Sequence, residues 1–181
     1  MHLHCLAVVT SPITLRAAPR QQKSARKSIR VTAQAVKRQT VIPAPSYNIP
    51  LVLAASGTFS HAALHNDVLC GICTVLAGFL AFQASRVKFV FDDEALEVVI
   101  GPNNAESENK FVGGRNRWAY DTFVNWEFWW AGFPVLVYFK ETQTRPEGQI
   151  HFFPIIMDGK MLYDVMSERC GSSVNSAGKE W

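Results

Sequence analysis

Two stretches decide how this chain is built: Ile49–His65, reading IPLVLAASGTFSHAALH, and Val68–Ala84, reading VLCGICTVLAGFLAFQA. Each is 17 residues long, which at helical rise covers about 25 Å, the short end of what spans a bilayer. The second has no charged residue, whereas Ser56, Thr58, Ser60 and His61 dilute the first. Pro50 suits an early helical position, where its missing N–H costs nothing. His65-Asn66-Asp67 is short enough to make the two helices antiparallel neighbours. Ala54, Ala55 and Gly57 in the first helix, with Gly71, Ala77 and Gly78 in the second, offer small surfaces for close contact. Core helices of soluble proteins have similar lengths, but the sequence downstream reads as a β domain with its own helix and does not need two more apolar ones. A transmembrane helical hairpin over residues 49–84 is therefore expected. Lys37 and Arg38 precede it and Arg86 and Lys88 follow it, which puts both ends on the side of synthesis.

Upstream, the first acidic residue is Asp67, so residues 1–66 carry no carboxylate. Residues 1–33 hold Arg16, Arg20, Lys23, Arg26, Lys27 and Arg30 among many Ser, Thr, Ala and Gln, the composition of an organellar transit peptide. Such a stretch buries too little apolar surface to offset chain entropy and is expected to be disordered. Leu6–Val9 is too short for a secretory h-region, and the basic charge follows it instead of preceding it. A mitochondrial presequence is the nearer competitor. Ser28–Ala35, SIRVTAQA, resembles the Val/Ile-x-Ala cleavage context of chloroplast leaders and points to a cut near Ala33. Residues 34–48 read as a linker. The chain has 18 basic and 15 acidic side chains, a net charge of +3; without residues 1–33 the balance is 12 against 15, a net of −3. The basic excess belongs to the leader and does not point to nucleic acid. The four cysteines, Cys5, Cys70, Cys73 and Cys170, are too few and too scattered for a disulfide scaffold.

Downstream, the pattern changes from Arg86 to period two. Val87, Phe89 and Phe91 alternate with Lys88, Val90 and Asp92, and Leu96, Val98 and Ile100 alternate with Glu97 and Val99, giving two strands joined at Asp92-Asp93-Glu94. Gly101–Lys110 is a polar loop, closed by Gly113-Gly114. Further strands are expected at Arg117–Asp121, Val124–Trp130, Val135–Lys140 and Gln149–Phe153. Asp158 can cap a last helix running through Arg169, with Met161, Leu162, Val165 and Met166 as its apolar face and Gly171 as its stop. The sequence thus predicts an α+β chain: a helical hairpin, then a small antiparallel β domain over residues 86–170 closing as a barrel under one C-terminal helix, then a flexible tail over 171–181.

Three groups of residues are candidates for function. His61, His65, Cys70 and Cys73 lie around the hairpin turn at i,i+4 and i,i+3 spacings, and four ligands of the type zinc prefers can converge there. The Cys-x-x-Cys pair alone is a possible dithiol. Against both, Cys and small residues are ordinary in membrane helices and His65 is a turn residue, so no metal or cofactor is expected. The cluster Trp126-Glu-Phe-Trp129-Trp130 with Phe133 suits a membrane–water interface or a partner surface; its alternate members equally suit a core. Because neighbouring residues of a strand face opposite ways, one of Trp129 and Trp130 is expected outside. Arg115, Arg117 and Lys140 can gather as an anionic-lipid patch, although Glu106, Glu108, Glu141 and Glu147 nearby favour a mixed, solvated surface. No phosphate-cradling glycine loop, H-E-x-x-H or G-x-S-x-G is present, and no enzyme is expected.

The order PAPSYNIPLVL, two hydrophobic helices, RVKFVFDDEALEV, NRWAYDTFVNWEFWW, FPVLVYFKE and QIHFFPIIMDGKML resembles an uncharacterised family shared by cyanobacteria and chloroplasts, known as a domain of unknown function. The resemblance runs from about Pro43 to Cys170, with the Pro102–Lys110 loop longer than the family pattern. Strands capped by one C-terminal helix also have the outline of a pleckstrin-homology-like domain, which some bacterial membrane proteins carry after a two-helix anchor. The resemblance implies a photosynthetic organism and a membrane protein with a small β-rich domain; it brings no catalytic residues. The expectation is a multi-pass chloroplast protein of the thylakoid, or alternatively of the inner envelope, with its β domain in the stroma. It would assist assembly or maintenance of a photosynthetic complex by gripping a membrane-protein client. A module that contacts or handles membrane lipids is the second expectation, and a metal or thiol-redox protein the third.

Overall fold

A computed structural model describes residues 37–101 and 115–176. The expected leader with Cys5, the first residues of the linker, the Pro102–Lys110 loop, Gly113-Gly114 and the end of the tail lie outside the described residues.

Helix α1 (Asn48–Leu64) and helix α2 (Asp67–Ala84) are joined by His65 and Asn66. His65 takes a left-handed backbone, and Asn66 caps α2 by accepting the Leu69 N–H on its side-chain oxygen at 3.0 Å. The two helices touch through Gly57, where an added Cβ would lie 3.1 Å from Cys73 Cβ and 3.3 Å from the Cys70 carbonyl. Buried at this contact are Gly57, Ser60, Cys73 and Ala77, whereas Ala54, Ala55, Gly71 and Gly78 face outward. The interface is thus narrower than the small-residue pattern predicts. By length and composition α2 is the one helix among the described residues that is long and apolar enough to cross a membrane. Helix α1, at 17 residues and with Ser56, Thr58, Ser60 and His61 along it, is not.

The chain continues as β1 (Val87–Phe91), β2 (Ala95–Ile100) and β3 (Arg117–Ala119), then a 3₁₀ turn at Tyr120–Thr122, then β4 (Phe123–Trp129), β5 (Leu136–Glu141), β6 (Gln149–Pro154) and α3 (Gly159–Arg169). Both sheets are antiparallel, in the orders β1-β2-β3 and β4-β5-β6. The expected closed barrel is not formed. Among the described residues no strand of one sheet pairs with a strand of the other. Tyr120 pins the corner between β3 and β4 by donating its hydroxyl to the carbonyls of Asp92 and Ala95 at 2.9 and 2.7 Å. Burial raises the Tyr120 pKa to about 12, so the donor is retained at all physiological pH.

The core lies between the sheets and under α3. Phe89, Phe91, Leu96 and Val98 of the first sheet meet Trp126, Phe128, Val137 and Phe139 of the second, and Trp118 stacks edge-on to Phe139 at 5.1 Å. Helix α3 adds Leu162, Val165 and Met166; Met161, expected on that face, is exposed. Asp158 caps the helix through the Met161 N–H at 2.8 Å, and Gly171 follows its end at φ +83°.

Two segments read as loose are held. The supposed linker runs along the opening between the sheets: Val41 exchanges both backbone hydrogen bonds with Phe91 at 2.8 and 2.9 Å, Ser46 N–H donates to Ile156 O at 2.9 Å, and Asp158 N–H donates to Ala44 O at 2.7 Å. Arg169, buried although charged, reaches the carbonyls of Phe91, Asp92 and Gln39 and locks this strap in place. At the other edge, Ser173 and Ser176 are buried against β4. The Ser173 hydroxyl donates to Trp126 O, and the Ser176 hydroxyl accepts the Phe128 N–H at 2.9 Å. Unpaired backbone groups of an edge strand need such partners. That requirement overrides the polar composition that made the tail look free.

Candidate contact surface

The second sheet carries an aromatic outer face as well as an aromatic core. In register, Trp129 lies beside Leu136 and Pro154, Glu127 beside Tyr138 and Phe152, and Asn125 beside Lys140 and Ile150. Alternation sends Trp126 and Phe128 inward and leaves these rows outside. Trp129 is 40 % and Phe152 50 % exposed, and Ile150 and Val124 are exposed too. The rings touch one another: Trp129 meets Phe152 at 5.6 Å and Trp130 at 5.9 Å, both edge-to-face, and Tyr138 meets Phe152 at 5.3 Å.

Trp130 is where the strand rule fails. It follows the last residue of β4 at φ +67°, a conformation costly for a bulky side chain. The left-handed turn throws its ring outward, so Trp129 and Trp130 are both exposed, not one in and one out; Trp130 reaches 62 %. Phe133, in the same turn, is also exposed. Trp126, expected as a contact residue, is instead a core residue at 1 % exposure, with its indole N–H donating to Gly171 O at 2.7 Å. Tyr138, Ile150 and Phe152 complete the surface and were not singled out in the sequence. Their membership follows from the register of β5 against β6.

The proposed basic patch does not assemble. Arg117 on β3 pairs with Asp92 and, at 3.3 Å, with Glu97. Its hydrogen bond to Asp92 raises its pKa further. Burial pushes the Asp92 carboxyl up, but the bonds from Arg117 and from the Glu94 and Ala95 N–H groups outweigh it and hold it below its usual value. Arg115 lines the same shallow hollow as Arg117, whereas Lys140 belongs to the other sheet. The Lys140 stem lies over Gly148, whose φ of +100° and lack of a side chain make room for it.

The four candidate ligands at the helix turn also part ways. His61 Nδ1 bonds exposed Asp67 Oδ1 at 2.7 Å, His65 shapes the turn, Cys73 is buried against Gly57, and Cys70 is half-buried. Among the described residues no three His, Cys, Asp or Glu side chains come together to hold a metal. Burial pushes the Cys170 thiol up to about 12, so it carries no thiolate at neutral pH.

One acid–base pair was missed in the sequence: Glu141 of β5 and His151 of β6, diagonal neighbours across the strand pair and both buried, bond through Oε1 and Nε2 at 3.0 Å. Burial alone would raise the Glu141 pKa. Hydrogen bonds from Thr144 and His151 and from the Thr144 and Gln143 N–H groups outweigh burial and lower it. The imidazole is sandwiched by Trp118 and Phe139 at 4.5 and 4.9 Å, closed to any substrate.

No curated protein and no solved structure matches the chain. Residues 41–171 match the model of a family described as "Protein of unknown function (DUF3119)", a span that begins at the Val41 strap and ends at the Gly171 stop. The helices, both sheets and α3 therefore form one inherited unit, and this chain belongs to the DUF3119 family.

Proposed function

We propose that this protein is a non-catalytic adaptor anchored in the thylakoid membrane by α1 and α2, whose stromal β domain presents the outer face of β4-β5-β6 to an integral membrane client. The assembly or maintenance of a photosynthetic complex is the task this arrangement suits. The observation that carries the reading is the aromatic cluster of Trp129, Trp130 and Phe152, exposed on a sheet whose core is complete without it. Contiguous exposed aromatic surface of this kind marks interaction sites, and Trp and Tyr supply anchors at low entropic cost. The strained backbone that exposes Trp130 fits a position held for contact and not for packing. The acid-free leader and the flanking basic residues support the chloroplast and the stromal orientation. We read the two sheets under α3 as an opened pleckstrin-homology-like module. A non-catalytic role agrees with the burial of the Glu141–His151 pair.

Purification from gently solubilised thylakoids tests the reading. The wild-type chain is expected to bring down a membrane protein that a Trp130→Ser/Phe152→Ser chain, still membrane-bound, leaves behind. Equal recovery of that protein by both chains counts against the surface.

A second reading has one observation of its own. Gly132 and Phe133 of the β4–β5 turn line a cavity with Asn48 and Ile49, the start of α1. If α1 enters the bilayer at Asn48, Phe133 and the turn that also carries Trp130 would lie near its surface, the position Trp favours. On this reading the turn dips into lipid headgroups. Quenching of Trp fluorescence by brominated lipid, lost on Trp130→Ser, would support it over a protein client.

A further inference from the structure

We infer that the open seam between β1 and β6 is a binding site for one hydrocarbon chain of a membrane lipid. Because the sheets do not close, β1 and β6 are left as edge strands with Phe89 against Phe153, and the strap of residues 41–46 crosses this opening from Phe91 to Ile156 and Met157, away from the Val87 end. At the Val87 end a cavity of about 230 Å³ remains. Val87, Phe89, Val98, Phe153 and Ile156 form its β side, and Phe79 and Leu80 of α2 form its wall. Gln83 and Asn116 are its polar lining residues. Apart from Gln83 and Asn116 the lining is apolar and offers ordered water few partners, so an apolar guest suits it better.

The wall decides which guest. Phe79 and Leu80 belong to the last turns of the helix long and apolar enough to cross a membrane, so the cavity opens beside a segment whose own surroundings would be acyl chains. This inference rests on the reading that α2 lies in the bilayer. A chain entering from the bilayer would exchange one apolar environment for another while covering the exposed edge of Phe153 and Ile100. Arg86, one residue before Val87, holds its guanidinium 5.0 Å from the Phe82 ring, placing a cation at the level where the lipid headgroup would stay. The sheet-side lining is what separates this site from ordinary lipid around a helix: Val98, Phe153 and Ile156 are reached only from inside the seam.

The purified full-length protein, reconstituted in phosphatidylcholine vesicles containing phosphatidylglycerol with a diazirine at the end of one acyl chain, provides the test. After irradiation, label is expected on Val98, Phe153 or Ile156 as well as on α1 and α2. Ile100→Trp, at an exposed rim position, is expected to lower the sheet-side label roughly tenfold and leave the helix label intact. Label confined to residues 48–84 overturns the seam site while the membrane anchor stands. Absence of label on the helices overturns the anchor and the inference with it. Sheet-side label that appears only when residues 102–114 are deleted overturns it as well, naming the chain's own segment as the occupant.

Discussion

The helix pair and the β domain are built inside out with respect to one another. In the β domain the large apolar side chains are inside: Trp118, Trp126, Phe89, Phe91 and Phe139 are essentially inaccessible. In α1 and α2 the buried side chains are small, and the large ones, among them Leu51, Phe59, Val68, Ile72, Val75, Phe79 and Phe82, face outward. Water would penalise that second arrangement, at about 25 cal/mol for each Å² of apolar surface left exposed. Lipid would not, and in lipid helices associate through small residues instead. The contrast is the one expected of two halves folded for different solvents, as the proposed membrane anchor requires. It also isolates the outer face of β4-β5-β6 as the place where the β domain departs from its own rule.

The contrast can be broken at several points. Trp126→Ala should have the largest effect. It empties the β core and removes the hydrogen bond to Gly171, and a loss of about 3–5 kcal/mol is expected in chemical denaturation of the detergent-solubilised chain. Next comes Val75→Lys at a site 71 % exposed. A water-facing helix would tolerate it within about 0.5 kcal/mol. A bilayer penalises it by roughly 2.5–3.5 kcal/mol, so the variant should be released from membranes by alkaline carbonate while the wild type stays. If both behave alike, α2 is not in lipid.

Smaller changes sharpen the same comparison. Gly57→Leu should push α1 from α2 at a cost of about 1–3 kcal/mol, read as a lower midpoint of thermal unfolding in detergent. Gly71→Leu, where nothing lies within 4 Å of an added Cβ, should be nearly silent. Equal effects would mean that the helices do not pack through Gly57. The polar pair in the β core has its own signature. Glu141 has a lowered pKa in the folded state, so its contribution is fully present above the ordinary value of 4.5 and lost as pH falls through the folded one. Stability should therefore drop by about 1 kcal/mol on acidification below that value, and Glu141→Gln should flatten the drop. An unchanged slope in the variant would assign the acid sensitivity elsewhere.

Much of the architecture was legible because it rests on short-range periodicity. Phe89 and Phe91 alternate into the core, Asp158 caps α3 and Gly171 stops it, as local spacing requires. What was not legible involved residues far apart. Alternation puts Trp126 and Trp129, three positions apart, on opposite faces of β4, but which face is the core was decided by the packing of the two sheets and α3. Trp130 broke the two-residue period because its backbone is left-handed. Phe152 and Tyr138 joined the surface through cross-strand pairing, and Arg117 left the basic patch because Asp92 and Glu97 claim it.

By itself the sequence determined the element types, their order and the two apolar helices, since helix and strand periods are written residue by residue and need no distant partner. Tertiary structure alone decided that the barrel stays open, that residues 41–46 and 171–176 serve as its edges, and that one aromatic row faces outward. Those outcomes depend on which backbone groups find partners, and in this chain the partners lie up to 130 residues apart, as Arg169 and Gln39 do.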